Sequence, residues 1–431
     1  MAKIVLNTFG SFGDLHPFLA LALELKRRGH RPVVATSAVY RAKILGESLD
    51  FHPVRPEVGE FLDKPDLMEK LWDGRRATQF LIRDYLAPRV GESFTDLRAG
   101  CGDADLLLTH SAGFGGPIVA ELLRLPWLSV VLQPAALFSA TDPPYVPEAP
   151  WLRHFFRLSP LVFKGLMRLA DRHVRKALRP ILELRKSLGL SNRTNPITQG
   201  PFSPYGTLAL FSEAFAKPQA DWPPRATQTG FVFYDRLGQG FALHNESGMK
   251  SGEGRLSKFL GRGDPPILFT LGSSAVMHAG DFYAESLRAA QDLGRRAVLL
   301  VGQSNRKTLP ASLPNSIHVA EYLPFSKVMP RAAAIVHQGG IGTVAQSLRA
   351  GRPMLVVPWA HDQPDNAQRI RRIGAGRSIK RNRYNARTAA EQLDQLLTDR
   401  SYDANARKAS EIIATENGVT RACDAIEAVL R

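Results

Sequence analysis

Residues 337–366, HQGGIGTVAQSLRAGRPMLVVPWAHDQPDN, constrain the fold and chemistry of this chain more than any other stretch. The apolar run Ala333–Val336 reads as a buried strand. His337-Gln338-Gly339-Gly340-Ile341-Gly342-Thr343 then turns into a helix ending near Ala350, with Gly351 placed to stop it. Met354–Val357 is a second strand. Asp362 and Gln363 follow its carboxyl end, where open α/β sheets bind ligands. Glycines let a backbone approach an anion closely, and a helix start offers unpaired N–H groups with partial positive charge. One helix terminus supplies only about 0.3–1 kcal/mol at an exposed site, so a second donor is expected. His337, at the strand tip, is placed to be that donor. Together these groups suit a diphosphate joined to a sugar, although an ordinary strand–turn–helix crossover would use glycine too.

The same alternation runs through the chain. Strands are expected at Lys3–Thr8, Pro32–Thr36, Leu106–Thr109 and Leu128–Leu132, and again at Ile267–Leu271, Ala297–Val301 and Ile317–Val319. Helical segments between them imply parallel sheets of βαβ units, hence an α/β chain of two doubly wound domains facing across a cleft. The first domain is expected at 1–234 and the second at 255–412. The polar, Gly-rich stretch 235–254 between them reads as a linker, and 413–431 as a terminal helix.

Cys101 and Cys423 make neither a disulfide framework nor a metal-ligand spacing, which points to a reducing cytoplasm. No signal-peptide pattern opens the chain, and no apolar run reaches the ~18 residues that span a bilayer. The net charge of +16, from 56 Lys+Arg against 40 Asp+Glu, favours anionic partners or reflects a solvated basic surface. Trp151–Leu190 concentrates ten basic and two acidic residues among apolar ones. It suits helices covering the amino domain, or a basic amphipathic face lying on the inner side of an anionic membrane.

His337-x-Gly-Gly-x-Gly-Thr343, then Gly351-x-Pro353, then Pro358-x-x-x-Asp362-Gln363-x-x-Asn366, resembles the donor signature of the UDP-glycosyltransferase superfamily. Phe9-Gly-Ser-Phe-Gly-Asp-Leu-His-Pro-Phe18 resembles the opening of sterol and antibiotic glycosyltransferases and of rhamnolipid rhamnosyltransferases. Ala360–Gln363 and Gln228-Thr229-Gly230-Phe231 fit the rhamnosyltransferase-like subgroup best. The resemblance covers nearly the whole chain. It implies a GT-B fold, with the terminal helix crossing back onto the amino domain. It also implies inverting transfer of a hexose from a nucleotide diphosphate sugar to a hydroxyl of a lipophilic acceptor: a flavonoid, terpenoid, sterol, macrolide or hydroxy-lipid.

The resemblance also assigns roles. Ser273 in the turn Gly272-Ser273 contacts phosphate together with His337, Gly339, Gly340, Gly342 and Thr343; Trp359 packs on the sugar while Asp362 and Gln363 bond its hydroxyls. Tyr322 and Leu323 serve the nucleobase, and Gln346 the ribose. Phe325 stands where many relatives carry Gln, and Gln346 where plant enzymes carry Glu, which favours TDP-rhamnose as donor over UDP-glucose. No redox cofactor is implied, and no metal. Asp103-Ala104-Asp105 has the spacing of a metal-binding pair but precedes a strand, at its wrong end.

Asp14 follows the first strand, and His110 ends Leu106–Thr109. Plant relatives carry His at the first place and an Asp after the later strand, so the pair here looks reversed, with Asp14 as base and His110 its neighbour. A positioned base contributes about 10²–10⁴ in rate. Asp14 equally suits capping of an expected helix Leu15–Arg28, and His16 is a second candidate base. The acceptor pocket is expected from loops Phe51–Ala99 and Leu132–Arg153. Two other readings stand beside this one. A nucleotide-sugar 2-epimerase would need no acceptor. A basic nucleic-acid-binding protein would explain the charge, but no zinc-finger spacing or aromatic RNA-binding signature is present, and nucleic acid is not expected as a partner.

Overall fold

A computed structural model of the chain describes residues 1–145, 159–234, 254 and 256–431. The expected linker, apart from Gly254, and residues 151–158 of the basic segment lie outside the described residues. The chain divides into two units, Met1–Tyr234 joined by Glu416–Arg431, and Asp235–Thr415.

The first unit is built on seven strands: β1 Lys3–Asn7, β2 Arg31–Thr36, β3 Asp50–Pro53, β4 Leu106–His110, β5 Trp127–Val131, β6 Thr207–Ala209 and β7 Ala226–Gln228. Their order is β3-β2-β1-β4-β5-β6-β7, and every pairing is parallel. The second unit carries β8 Ile267–Thr270, β9 Ala297–Leu300, β10 Ile317–Ala320, β11 Ala334–His337, β12 Met354–Val356 and β13 Gly376–Ser378. These run β10-β9-β8-β11-β12-β13, again all parallel. Parallel sheets are covered on both faces, so their strands read as unbroken apolar runs. Ile4-Val5-Leu6, Leu106–Leu108 and Met354–Val356 are accordingly fully buried.

In each unit the strand order reverses once, between β1 and β4 and between β8 and β11. Loops leaving the strand ends diverge at such a point and open a ligand crevice. The β1 and β4 loops carry Asp14 and His110. The β8 and β11 loops carry Ser273 and His337. Both sets of sequence-chosen residues therefore sit at a switch point of their own sheet.

Two expected boundaries are corrected. The first helix spans Phe12–Arg27, not Leu15–Arg28, because its N-cap is Ser11 rather than Asp14. Ser11 Oγ accepts from the Gly13 N–H at 3.2 Å, and Asp14, three residues on, accepts from the Ser11 N–H at 2.8 Å. That reciprocal capping box satisfies two otherwise unpaired amides. The second boundary falls after Thr415, not 412, since the helix Arg400–Thr415 continues through buried Ile413. Asn417 then caps the terminal helix Gly418–Leu430, accepting from the Thr420 N–H at 3.2 Å. Within the first unit this helix buries Ala422, Cys423 and Ile426. Arg28, just past the end of Phe12–Arg27, clamps it through Asp424 at 2.6 Å and Glu427 at 2.9 Å.

Candidate functional site

In the second unit, β11 ends at His337 and the chain turns through Gly339 and Gly340 into the helix Ile341–Arg349. Gly339 adopts a φ of +93°, and a Cβ there would lie 2.7 Å from Val356 Cγ1, so only glycine fits. Gly340 is the N-cap and has no side chain to close the first turn. The amides of Ile341, Gly342 and Thr343 therefore have no partner within the helix, an arrangement chemically suited to an anion.

His337 is fully buried. Its Nδ1 accepts from the Gly339 N–H at 3.0 Å, which puts the ring proton on Nε2. Nε2 has no partner among the described residues. Burial lowers the imidazole's pKa to about 3, so the ring is a neutral donor at physiological pH.

Gln338, whose place between His337 and Gly339 carries no chemical signal in the sequence, is part of the same cradle. It is 3% exposed, and its Oε1 is buried without a partner among the described residues. A Cβ built on Gly272 would fall 2.5 Å from Gln338 Nε2 and 3.2 Å from Thr343 Oγ1. The Gly272-Ser273 turn after β8 thus closes directly on the β11 turn, with the Gln338 amide wedged between them. Ser273 is exposed.

The strand-end loop is knitted to this turn by amide side chains. Asn366 Nδ2 donates to Gly339 O at 2.8 Å and to Asp362 Oδ2 at 2.7 Å. Gln363 Oε1 accepts from the Trp359 and Ala360 N–H groups at 2.8 and 3.2 Å. Gln363 therefore spends its oxygen on its own loop, which leaves the amide nitrogen as the group it can offer a sugar. Asp362 is the N-cap of the helix Gln363–Arg372. Two residues into that helix, Asp365 pairs with Arg369 at 2.6 Å, both buried, and stiffens the segment. Only the i,i+4 spacing marks that pair in the sequence.

Other expected roles change. Trp359 was to pack on the sugar, but its indole is buried against Phe282 and Arg381 and donates to His278 O at 3.3 Å. Arg381 covers one face of the ring and Phe282 meets it at 70°, so in this structure it supports the loop. The Leu323 side chain goes into the hydrophobic core with Leu268 and Ile335, while Tyr322 beside it is exposed. Gln346 lies half-buried on Ile341–Arg349.

In the first unit, Asp14 Oδ1 lies 3.9 Å from His110 Nε2, and the Asp14 side chain is 30% exposed. Burial raises the carboxyl's pKa against the opposing pull of His110 and the Ser11 hydrogen bonds. Burial also lowers that of His110 against the pull of Asp14. Neither ring nitrogen of His110 has a hydrogen-bond partner among the described residues. Tyr40, also missed from sequence, donates its hydroxyl to Gly10 O at 2.7 Å and anchors the loop that presents Asp14. His16 stacks between Phe12 and Tyr234. Burial, then nearby Lys43, lowers its pKa to about 3, which makes it a weak base. Asp103 and Asp105 both bind Lys3 at the start of β1, a structural use that explains their spacing.

Residues 4–135 match the glycosyltransferase family 28 N-terminal domain, and residues 284–428 match the erythromycin biosynthesis protein CIII-like C-terminal domain. The O-mycaminosyltylonolide 6-deoxyallosyltransferase of Streptomyces fradiae is 32% identical over 99% of this chain and 97% of its own length. The chain belongs to the UDP-glycosyltransferase superfamily. Its two Rossmann-like units have the GT-B fold, and it is a glycosyltransferase. The kitacinnamycin glycosyltransferase structure has the same fold, with a TM-score of 0.73 at 20% identity over 100% of this chain and 99% of that one. SsfS6 of Streptomyces sp. SF2575, solved with thymidine diphosphate, gives a TM-score of 0.62 at 20% identity over 99% of this chain and 100% of that one.

Two recesses flank the end of β4 in the first unit of this glycosyltransferase. One is lined by His110, Phe114, Ile118, Ile181 and Arg185, the other by Phe9, Val54, Arg55, Leu86 and Phe114. The expected loop 51–99 contributes to the second. The expected loop Leu132–Arg153 lines neither, and residues 146–153 lie outside the described residues.

Proposed function

We propose that this glycosyltransferase moves a hexose, with inversion, from a nucleotide diphosphate sugar to a hydroxyl of a lipophilic small molecule. The observation that carries the donor assignment is His337: a neutral, fully buried imidazole whose proton-bearing Nε2, beside an open helix start, has no partner among the described residues. A buried unpaired donor costs about 1–3 kcal/mol, and a diphosphate oxygen would satisfy it.

In this reading Asp14 accepts the proton of the acceptor hydroxyl. The hydroxyl oxygen attacks the anomeric carbon from the face opposite the diphosphate, and the bond from that carbon to the diphosphate oxygen breaks. One displacement inverts the centre. The charge gathering on the departing diphosphate is met by His337 Nε2 and the amides of Ile341–Thr343, with no metal ion or redox cofactor assigned a role. Asp362 and the Gln363 amide nitrogen bond the sugar hydroxyls, and Tyr322 carries the base.

The favoured donor is TDP-rhamnose, with UDP-glucose second. Phe325 and Gln346 support it, as does the Streptomyces fradiae relative, whose named sugar is a 6-deoxyhexose like rhamnose. SsfS6 with its thymidine diphosphate is consistent in nucleotide. The recess beside His110, lined by Phe114, Pro117, Ile118 and Ile181, suits a lipophilic acceptor.

The test is a thermal-shift and calorimetric series with TDP, UDP and their sugars. A ligand at 100 times its Kd stabilises the fold by about 2.7 kcal/mol. Nucleotide release should require an acceptor. Release without one would favour the epimerase reading, and no nucleotide binding would remove the donor assignment.

A further inference from the structure

The helix Pro160–Ala177 of the first unit exposes an apolar stripe. Leu161 is 78% exposed and Leu169 76%, with Val162 and Leu166 also exposed. Positions 161, 165 and 169 follow one another up one side of a helix, and 162 and 166 lie alongside, so the four side chains form one strip over its first turns. The opposite side is spent on the fold: Phe163 and Met167 pack with Ala140, and Val174 packs on the sheet's core.

Beside the apolar strip runs a second row at the same spacing, Lys164, Arg168, Arg172 and Lys176, all exposed. Asp171 is the helix's one acidic residue. It is committed to Arg175 at 2.6 Å and to the Asn195 amide at 2.5 Å. The exposed face is therefore apolar and positive with no counter-charge of its own.

That combination discriminates among occupants. A second copy of this chain would bring another +16 molecule and another basic row against it, and like charges facing each other disfavour docking. The core of a protein interface is depleted of charge, whereas here Lys164 borders Leu161 and Arg172 borders Leu169 one turn away. Apolar side chains flanked by long cations that keep their heads in water match a helix lying in the headgroup layer of an anionic bilayer.

We propose that Pro160–Ala177 is a peripheral membrane-contact element of this glycosyltransferase. Leu161, Val162, Leu166 and Leu169 enter the acyl boundary, and Lys164, Arg168, Arg172 and Lys176 meet lipid phosphates. The proposal is independent of the donor and base assignments, since none of these residues belongs to either site.

The experiment is cosedimentation of the 431-residue chain with vesicles of phosphatidylcholine alone or mixed with phosphatidylglycerol, at low and at physiological salt. The protein should bind the mixed vesicles, bind them less as salt rises, and ignore pure phosphatidylcholine. Leu161→Ser with Leu169→Ser should weaken binding by about tenfold or more, with an unchanged melting temperature. Arg168→Glu with Arg172→Glu should do the same. Vesicle binding should also slow amide exchange within 160–177. The proposal is overturned if the anionic vesicles do not bind, or if the serine pair binds them as the parent does. It is equally overturned if light scattering shows that the serine pair has instead turned a dimer into a monomer.

Discussion

His110 Nε2 lies 3.9 Å from Asp14 Oδ1, near enough for attraction and too far for a hydrogen bond. Burial raises the pKa of one partner and lowers that of the other, so Asp14 takes up a proton more readily than an ordinary carboxylate, and His110 less readily than an ordinary imidazole. That is the state a general base requires. Asp14→Asn should reduce transfer by about two to four orders of magnitude with donor affinity intact. His110→Ala should lose less, and His16→Ala should stay within a few-fold, because a group with a pKa near 3 is a poor base. Steady-state rates and calorimetry on the three variants decide this. Near-normal turnover by Asp14→Asn would reduce the residue to its role in the capping box.

The same carboxyl should mark the pH dependence of stability. Its folded pKa is raised above the unfolded value of about 3.9, so ionisation is penalised in the native state. The favourable contribution is full below that unfolded value and is lost as pH rises through the raised one. Asp14→Asn should then melt at or above the parent near neutral pH, with the two converging in acid. Turnover of the parent should fall as pH drops below the raised value. A variant that melts several degrees lower at neutral pH would mean that helix capping by the charge outweighs burial.

The apolar runs of parallel strands made most of the two sheets legible, and the glycine-rich turn made the second crevice legible. The strands that escaped, β3, β6, β7 and β13, are three or four residues long, too short for a pattern to show, and β3, β7 and β13 lie at sheet edges where burial on both faces is lost. Ser11-x-x-Asp14 is a capping box readable in the sequence, and the carboxyl that closes it is also the candidate base. Gln338 and Tyr40 could not have been found from spacing. Each acts by reaching a backbone turn from another part of the fold, Gly272 for one and Gly10 for the other. The burial of Trp359 was illegible for the related reason that sequence places a ring near a site without saying which way it turns.

His337→Ala should weaken binding of TDP and UDP about 10- to 100-fold. A hydrogen bond to a charged group contributes roughly 1.5–3 kcal/mol, and each 1.4 kcal/mol is tenfold in Kd. Because burial keeps the ring neutral down to about pH 3, parent affinity should show no step from imidazole titration near pH 6–7, where an ordinary histidine titrates. Calorimetry across that range checks both claims. A step that disappears in His337→Ala would show that the ring binds as a cation instead.

Gln338 offers a sharper electrostatic test, since its amide sits between the two turns of the donor cradle. Gln338→Glu keeps the shape and places a negative charge where a diphosphate is to bind, so affinity for both nucleotides should collapse. Gln338→Ala should lose less, by removing only a neutral contact. Equal affinity for Gln338→Glu and the parent would put the diphosphate elsewhere.

Gln346 bears on the choice of nucleotide. A ribose offers two hydroxyl donors and the deoxyribose of TDP only one, and a carboxylate accepts such bonds about twice as strongly as a neutral amide. A Gln at this position therefore forfeits more with UDP than with TDP. The parent should bind TDP more tightly than UDP, and in direct competition should use TDP-rhamnose before UDP-glucose. Gln346→Glu should narrow the gap by several-fold, chiefly by improving UDP. Phe325→Gln should act in the same direction, because Phe325 packs half-buried against the second unit's core beside the exposed Tyr322 and makes that edge apolar. If the parent prefers UDP-glucose outright and neither substitution moves the ratio, the donor is set by residues other than these two.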